Sequence, residues 1–216
     1  MLISDDMKVL FVHVPKTGGV SVEVAFKGAC EDARKKRPGS APMGRHATLG
    51  KILQAEPQAA DYWTFGFVRN PWARMVSWYS MIDQWSHRWG PASGKPQDGS
   101  HRGMRNGNEM WRAAAAYRDF EEFVLRGTDE LPRVGRPQIA YLRASKLGKE
   151  ADFIGRTESF GEDLQTVQRH LGVEPTPVPH RNKSKHGTYH DYYNEATRKK
   201  IAAVYAEDID RFGYTY

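Results

Sequence analysis

The chain has 216 residues, of which 39% are hydrophobic and 27% charged, so it suits one globular domain and is unlike a wholly disordered protein. Its formal net charge of +6 favours an anionic partner, such as nucleic acid, an acidic glycan or a nucleotide, without choosing among them. The single cysteine, Cys30, excludes an internal disulfide and predicts a reducing compartment, hence a cytoplasmic location. No apolar run near the start is long enough to span a bilayer.

The first predicted elements are a strand and a helix joined by a glycine-containing loop. Residues 8–14 form an apolar, β-branched run that is typical of a buried strand and ends before Pro15. Gly18 and Gly19 follow, and residues 20–27 carry apolar side chains at helical spacing. Many phosphate-binding sites use this order, because the glycine N–H groups can approach an anion and the helix presents its positive end to it.

The same loop carries a cation and two hydroxyl groups. Lys16 supplies a mobile positive charge, and Thr17 and Ser21 supply hydrogen-bond donors. A Walker A loop is excluded, because the pattern G-x-x-x-x-G-K-[ST] is absent. A turn that only reverses the chain would need the glycines but not the other three side chains. The loop is therefore predicted to bind an anion.

A second strand-to-helix junction is predicted near position 70. Residues 46–55 have helix-compatible apolar spacing, and residues 62–68 are aromatic and β-branched, as in a buried strand. Asn70 is a favourable helix N-cap, and Pro71 suits the first helical position, where its missing N–H costs nothing. The helix is predicted to continue over residues 72–85.

Arg69 and Ser77 belong to this second junction. Arg69 ends the strand, where parallel sheets bind their ligands, and Ser77 lies about two helical turns further on. An arginine fork and a serine hydroxyl directed at one point could bind a phosphate. Alternatively, Arg69 is a surface ion-pair partner and Ser77 a small packing residue, and this junction by itself favours the alternative.

The remainder of the chain alternates loops, short helices and one further strand. Its predicted elements are a surface loop over 30–45, a long loop over 86–108, helices over 119–126 and 136–144, and a strand over 152–156. Ser159 and Glu162 have the spacing of a capping box for a helix that ends near Gly172, and Asn194 is predicted to cap the last helix. The inner face of that helix is predicted to carry Ile201, Val204, Tyr205, Ile209 and Phe212. Strands that alternate with helices predict one α/β domain over residues 1–216, with a central, mostly parallel β-sheet flanked by helices.

Two longer motifs make the chain resemble the sulfotransferase superfamily. Residues 12–21 (VHVPKTGGVS) are similar to that family's 5′-phosphosulfate loop, and residues 67–79 (FVRNPWARMVSWY) are similar to its 3′-phosphate element. The likeness extends through residues 153–164, 179–182 and 205–214, and it is weakest over 86–108. It points to the bacterial and carbohydrate-type branch, which includes the heparan 2-O-sulfotransferases. The resemblance implies a P-loop-kinase-like sulfotransferase fold.

The resemblance also implies a donor, a reaction and a binding site. The donor would be 3′-phosphoadenosine 5′-phosphosulfate (PAPS), and the product adenosine 3′,5′-bisphosphate (PAP). The sulfuryl group would pass in line to a hydroxyl or amine of a carbohydrate or small-molecule acceptor, and no metal would be required. The donor would contact Pro15, Lys16, Thr17, Gly18, Gly19, Val20, Ser21, Arg69 and Ser77. Lys16 would also be catalytic, because it would meet the negative charge on the departing bridging oxygen.

A hydroxyl acceptor needs a base to take its proton, and His46 is the main candidate. The carbohydrate-type branch has a catalytic histidine in this region, between the two nucleotide motifs. The alternative is a surface histidine at a helix start. The position of His13 in the predicted strand favours a packed role for it. His180 and His186 are weaker candidates for the base. Glu158 is predicted to be a structural ion-pair partner of a nearby arginine.

Three further roles stay open on the sequence. Arg156 either reaches the nucleotide or stabilises the fold, and the basic segment 183–187 either closes over the nucleotide or is a solvated loop. The acceptor is expected to meet residues 85–111, where tryptophans and basic side chains could stack on a ring or attract acidic groups. These side chains are Trp85, His87, Arg88, Trp89, Arg102, Arg105 and Trp111. The alternative packs the tryptophans in the core.

Three rival functions are weighed against a sulfotransferase. A nucleotide-dependent phosphotransferase would need a Walker A loop and acidic Mg²⁺ ligands, and the first is absent. A non-catalytic nucleotide- or nucleic-acid-binding protein would give no reason for Lys16, Arg69 and Ser77 to occur at two strand-to-helix junctions. A degenerate sulfotransferase that binds PAPS without activity fits every motif and differs only in the base. We expect an active enzyme that has no nucleic-acid partner.

Overall fold

The structure is a computed structural model that describes residues 1–35, 44–89, 93–94, 113–114, 116–175 and 188–216. The strands are β1 (Leu2–Ser4), β2 (Val9–Val12), β3 (Trp63–Val68), β4 (Arg143–Ala144), β5 (Lys149–Glu150) and β6 (Phe153–Arg156). The longer helices are α1 (Gly19–Ala29), α2 (Leu49–Ala55), α3 (Pro71–Trp89), α4 (Phe120–Leu125), α8 (Phe160–His170), α9 (Glu195–Val204) and α10 (Ala206–Phe212). The single-turn helices are α5 (Gly127–Glu130), α6 (Pro132–Gly135) and α7 (Ile139–Leu142).

The described residues form two compact units. The first comprises Met1–Asn70 and Gln138–Lys183, and the second comprises Pro71–Pro137 and Ser184–Tyr216. The single domain predicted over residues 1–216 stays a prediction.

The first unit is built on a four-stranded sheet in the order β1-β2-β3-β6. Strand β2 pairs in parallel with β3, and β3 pairs in parallel with β6, whereas β1 is antiparallel to β2. The predicted α/β fold with a mostly parallel sheet is confirmed. Strand β1 was not predicted, because three residues that precede a pair of acids give too short a pattern to recognise.

The strands of this sheet are buried on both sides because helices cover both of its faces. On one face, Phe11 and Phe65 pack in a buried cluster with Val22 and Phe26 of α1 and Leu164 of α8. On the other face, α7 lies so close to β3 that a Cβ added at Gly66 would stand 2.3 Å from Leu142. The packing brings the carboxyl ends of β2 and β3 side by side at one edge, where both predicted phosphate-binding junctions begin.

The second unit is helical and is held by buried aromatic side chains. Trp78 of α3 is 2% exposed, and the hydroxyl of Tyr205, which is fully buried, donates a hydrogen bond to the carbonyl of Val134. Trp72 donates to the Arg198 carbonyl at 3.2 Å, which ties the start of α3 to α9. The predicted last helix is divided at Tyr205 into α9 and α10. Of its predicted inner face, Ile201, Tyr205 and Phe212 are buried, and Val204 and Ile209 are partly buried.

Two local predictions are wrong. Ser159 is at the N-cap of α8, but its hydroxyl makes no cap bond and donates to Asp163 at 2.6 Å instead, so the predicted capping box with Glu162 is absent. The capping box present in the described residues is that of Asn194, whose side chain accepts from Thr197 N at 2.9 Å. The helix predicted over 136–144 is reduced to the single turn of α7, because β4 begins at Arg143.

Candidate active site

The loop after β2 is a tight turn with two residues in the left-handed region of backbone conformation. Lys16 has φ of 70° and Gly18 has φ of 75°, both in the left-handed region. Glycine adopts this region freely, whereas a lysine there costs on the order of 1–2 kcal/mol. Such strain at a non-glycine residue is concentrated at functional sites, because surrounding contacts must hold it in place. The strained residue here is the one predicted to contact the donor.

Helix α1 begins at the end of this loop with its positive end uncompensated by side chains. Its N-cap is Gly18, no side chain makes a cap bond, and its first turn, all of which the structure describes, contains no acid. Thr48, Asp119 and Asn194, by contrast, cap α2, α4 and α9 through their side chains. An anion at the start of α1 would meet backbone N–H groups and the favourable end of the helix dipole.

Lys16 and Arg69 bring two positive charges to the same edge of the sheet. The register of β2 and β3 places Val12 opposite Gly66, so the segments that follow each strand run side by side. Burial, and secondly the charge of Arg69, lowers the pKa of Lys16 from 10.5 to about 8. Two like charges that interact are a poor arrangement for the free protein and a good one for a ligand with several negative charges.

The backbone at Arg69 and Asn70 is fixed by the side chains of Gln138 and Glu158. Arg69 N donates to Gln138 Oε1 at 2.9 Å, and Gln138 Nε2 donates to the Arg69 carbonyl at 2.8 Å. Asn70 N donates to Glu158 Oε1 at 2.7 Å. Glu158 thus supports this junction through a backbone N–H. Gln138 was missed because it is separated from Arg69 by 69 positions and belongs to no motif.

His46 lies in the turn before α2 and is held in one tautomer. Its Nδ1 is 2.9 Å from the carbonyl oxygen of His13. A carbonyl only accepts hydrogen bonds, so Nδ1 carries the proton in neutral His46, and Nε2 carries the lone pair. The structure caps α2 with Thr48, whose side chain accepts from Lys51 N, so the alternative of His46 as the helix cap is excluded.

His13 connects the loop, α1 and the segment that carries His46. Its ring is buried against Gly19, where an added Cβ would lie 2.1 Å from Nε2. The centroids of the His13 and His46 rings are 4.5 Å apart. His13 Nδ1 is 3.0 Å from Glu23 Oε1, and Arg45 Nε is 3.2 Å from the same oxygen. Burial lowers the pKa of His13, so this contact is a neutral imidazole donating to a carboxylate. The expected packed role of His13 is confirmed.

The other predicted site residues have less direct settings. Thr17 is buried and donates its hydroxyl to the Val14 carbonyl at 3.0 Å, which helps to close the loop. Ser21 is buried in the first turn of α1, and Ser77 is buried on α3, in the second unit. Arg156 is exposed at the end of β6, where its N–H donates to Asp163 at 2.7 Å. Nucleotide contacts by any of these residues stay predictions.

Part of the predicted acceptor region lies outside the described residues. Arg102, Arg105 and Trp111 of that region are not described, and neither are the weaker base candidate His180 and the basic segment 183–187. Of the described residues in the acceptor region, Trp85 is partly buried, and His87 and Arg88 are exposed.

In the described ranges, no group of three His, Cys, Asp or Glu side chains could hold a metal ion. No helix in those ranges is both long and apolar enough to cross a membrane.

The fold and the two cationic loops define an α/β protein with a candidate site for a multiply charged anion. The sequence profile of the Sulfotransferase family matches residues 1–215, so the chain belongs to the sulfotransferase family. This match confirms the prediction that the chain is a sulfotransferase. Among solved structures, that of mouse sulfotransferase SULT7A1 complexed with PAP is similar, with 12% identity, a TM-score of 0.48, and coverage of 96% of this chain and 86% of that one. No curated protein sequence matches at the significance threshold.

Proposed function

We propose that this sulfotransferase binds PAPS through the loop 15–21 and Arg69, and transfers its sulfuryl group to an acceptor hydroxyl with His46 as general base. The observation that carries the proposal is the pair formed by Lys16 and Arg69 at the ends of adjacent parallel strands. Burial and this neighbouring charge lower the pKa of Lys16 to about 8. A ligand with phosphate or sulfate groups would relieve that unfavourable arrangement.

The residues present suit the two ends of the donor. The start of α1 offers N–H groups and an uncapped positive end to the 5′-phosphosulfate. Arg69 offers the planar fork that suits a phosphate, for the 3′ end. Lys16 stands in the loop that leads into α1, so its ammonium group is available to stabilise the charge that develops on the bridging oxygen as PAP leaves.

His46 suits the removal of the acceptor proton. With Nδ1 donating to the His13 carbonyl, Nε2 is the basic atom. As the acceptor oxygen bonds to sulfur and the bond from sulfur to the bridging oxygen breaks, the hydroxyl proton passes to Nε2. The resulting imidazolium keeps its hydrogen bond to the carbonyl, which becomes stronger when the ring is charged.

A hydroxyl of a carbohydrate or another hydroxylated small molecule is the proposed acceptor, and the resemblance to the carbohydrate-type branch supports it. A cytoplasmic location belongs to the same proposal and is supported by the single cysteine, which is buried and unpaired. Incubation with labelled PAPS and a panel of glycans, phenols and lipids tests the acceptor class. Label transfer confined to the lipids would contradict it.

The binding part is tested by thermal unfolding with two nucleotides. PAP should raise the melting temperature substantially more than AMP does, because only PAP carries a 3′-phosphate for Arg69. Lys16→Ala should abolish most transfer while leaving a folded protein. Equal shifts with the two nucleotides, or near-normal turnover of the Lys16 variant, would refute the site.

The base is tested with His46→Ala and a control histidine. His46→Ala should lower turnover by roughly 10²- to 10⁴-fold with little change in PAP affinity. His170→Ala is the matched control, because His170 is exposed and stacks on Trp63 at 3.7 Å, at the opposite end of β3 from Arg69. A loss of PAP affinity without a loss of turnover at saturating PAPS would make His46 a binding residue.

A further inference from the structure

The peptide groups at Arg69 lie just beyond the hydrogen-bonded part of the sheet. The last register pair of β3 with β6 is Val68 with Arg156, and Thr157 N donates to the Val68 carbonyl at 2.9 Å. Helix α3 begins two residues after Arg69. Arg69 therefore has neither a strand register nor a helix to fix its backbone, and its N–H and C=O need other partners.

Gln138 supplies both partners with one side chain. Its amide accepts from Arg69 N at 2.9 Å and donates to the Arg69 carbonyl at 2.8 Å. This is the pattern that a neighbouring strand would offer, because a carboxamide has the same donor and acceptor as a peptide group. Gln138 is fully buried, so water does not compete readily for these two bonds.

Gln138 is itself held on a packed element. It is the N-cap of α7, whose residues Ile139, Tyr141 and Leu142 are buried. Leu142 contacts β3 at Gly66, one helical turn from the contact of Gln138 with Arg69. The helix therefore lies along β3 and presents the glutamine amide at a fixed place. Next to it, Glu158 accepts from Asn70 N and fixes the following peptide.

We propose that Gln138 is a positioning residue that sets the direction of the Arg69 side chain, and thereby the preference of the enzyme for a nucleotide with a 3′-phosphate. This rests on the proposed function, in which Arg69 binds that phosphate. A bidentate arginine–phosphate contact depends on orientation as well as charge, so a small rotation of the Arg69 peptides weakens it. Contacts at the 5′ end, made by the loop 15–21, do not pass through Gln138.

The measured quantity is the ratio of AMP to PAP dissociation constants, obtained by calorimetry on the full chain. Gln138→Met keeps the approximate volume and removes both hydrogen bonds, and Gln138→Asn keeps the amide but shortens its reach. We expect each variant to lower the ratio about tenfold and to leave AMP affinity within about twofold of the unchanged protein. Two variants are used so that a folding failure of one leaves the other.

The control variant and a double-variant cycle separate positioning from general loss of stability. Gln168→Met removes another buried glutamine of the same unit and should leave the ratio unchanged. Gln168 lies near the end of α8, where His170 stacks on Trp63 at the start of β3. In an Arg69→Ala background, Gln138→Met should cause no further fall in the ratio, because it acts through Arg69.

Each outcome bears on a different claim. A fall in the affinities for PAP and AMP by equal factors, or a further fall in the Arg69→Ala background, would overturn the positioning role of Gln138. A ratio unchanged in both Gln138 variants would do the same. If the unchanged protein itself did not prefer PAP to AMP, the proposed function would fail first, and the inference with it.

Discussion

Binding of PAP should take up protons through Lys16. Burial and the charge of Arg69 lower the pKa of this ammonium group from 10.5 to about 8 in the free protein. At 1.36 kcal/mol per pKa unit, this displacement corresponds to roughly 3 kcal/mol against the charged form. Phosphate groups beside Lys16 favour the charged form, so the pKa returns towards or above its ordinary value when the nucleotide binds.

The sign and size of the effect follow from these two states. Well below pH 8, Lys16 is charged with or without the ligand, and it contributes no pH dependence. At pH 8 about half of the free protein carries a neutral lysine, so binding takes up about 0.5 proton, rising to about 0.9 at pH 9. Above pH 8, PAP affinity should fall by up to about tenfold per pH unit until the pKa of the bound state is reached.

The assay is isothermal titration calorimetry in buffers with different ionisation enthalpies. The slope of the observed heat against buffer enthalpy gives the number of protons taken up. At pH 8 and above, the phosphates of PAP are already ionised, since their second pKa is near 6, and do not contribute. Lys16→Arg is the control, because a guanidinium stays charged throughout and should abolish the uptake. Uptake below about 0.2 proton at pH 9, or unchanged uptake in the arginine variant, would refute the reasoning.

Two stability predictions concern α1. Gly19→Ala should lower the free energy of unfolding by about 1–3 kcal/mol in urea, because the new Cβ would lie 2.1 Å from His13 Nε2. Gly28→Ala in the same helix is the control: its Cβ meets nothing within 4 Å, so the substitution should be neutral or stabilising. Equal effects would contradict the close packing of His13. At Glu23, burial alone would raise the pKa, but the His13 hydrogen bond and the Arg45 charge outweigh it and lower the pKa from 4.5 to about 2. The stability contributed by the Glu23 charge is complete above pH 4.5 and is lost as the pH falls towards 2. Glu23→Gln should therefore flatten that part of a curve of unfolding free energy against pH. An unchanged curve would show that the carboxylate does not make these stabilising contacts.

The strands and helices near the site were predictable because their local patterns agree with their tertiary environment. The apolar run before Pro15 became β2, the aromatic run before Arg69 became β3, and Pro71 is the first residue of α3. Buried parallel strands carry continuous apolar runs, so each is recognisable without its partners. The same agreement explains why Asn194 acts as a cap.

Predictions failed where a side chain had two possible local partners. Ser159 has the spacing of a capping box, but Asp163 lies one helical turn further on and accepts its hydroxyl at 2.6 Å. In a capping box the serine oxygen accepts from a backbone N–H, whereas here the hydroxyl donates to a carboxylate in a charge-assisted bond, and Asp163 also accepts from the backbone N–H of Arg156 at 2.7 Å. The contact with Arg156 comes from the strand that precedes the helix, and the spacing of Ser159 and Glu162 does not contain it.

The supports of the candidate site were not predictable for a related reason: they are contacts between distant segments. His13 shows this most fully. Its position in a strand indicates only that it is packed, yet its carbonyl selects the His46 tautomer, its ring fills the space above Gly19, and its Nδ1 holds Glu23. Because one residue just after β2 contacts the helix start, the acid on α1 and the candidate base, a displacement of β2 would disturb the loop 15–21 and His46 together. The candidate site residues can thus be predicted from motifs, whereas their relative placement depends on side chains that carry no chemistry of their own.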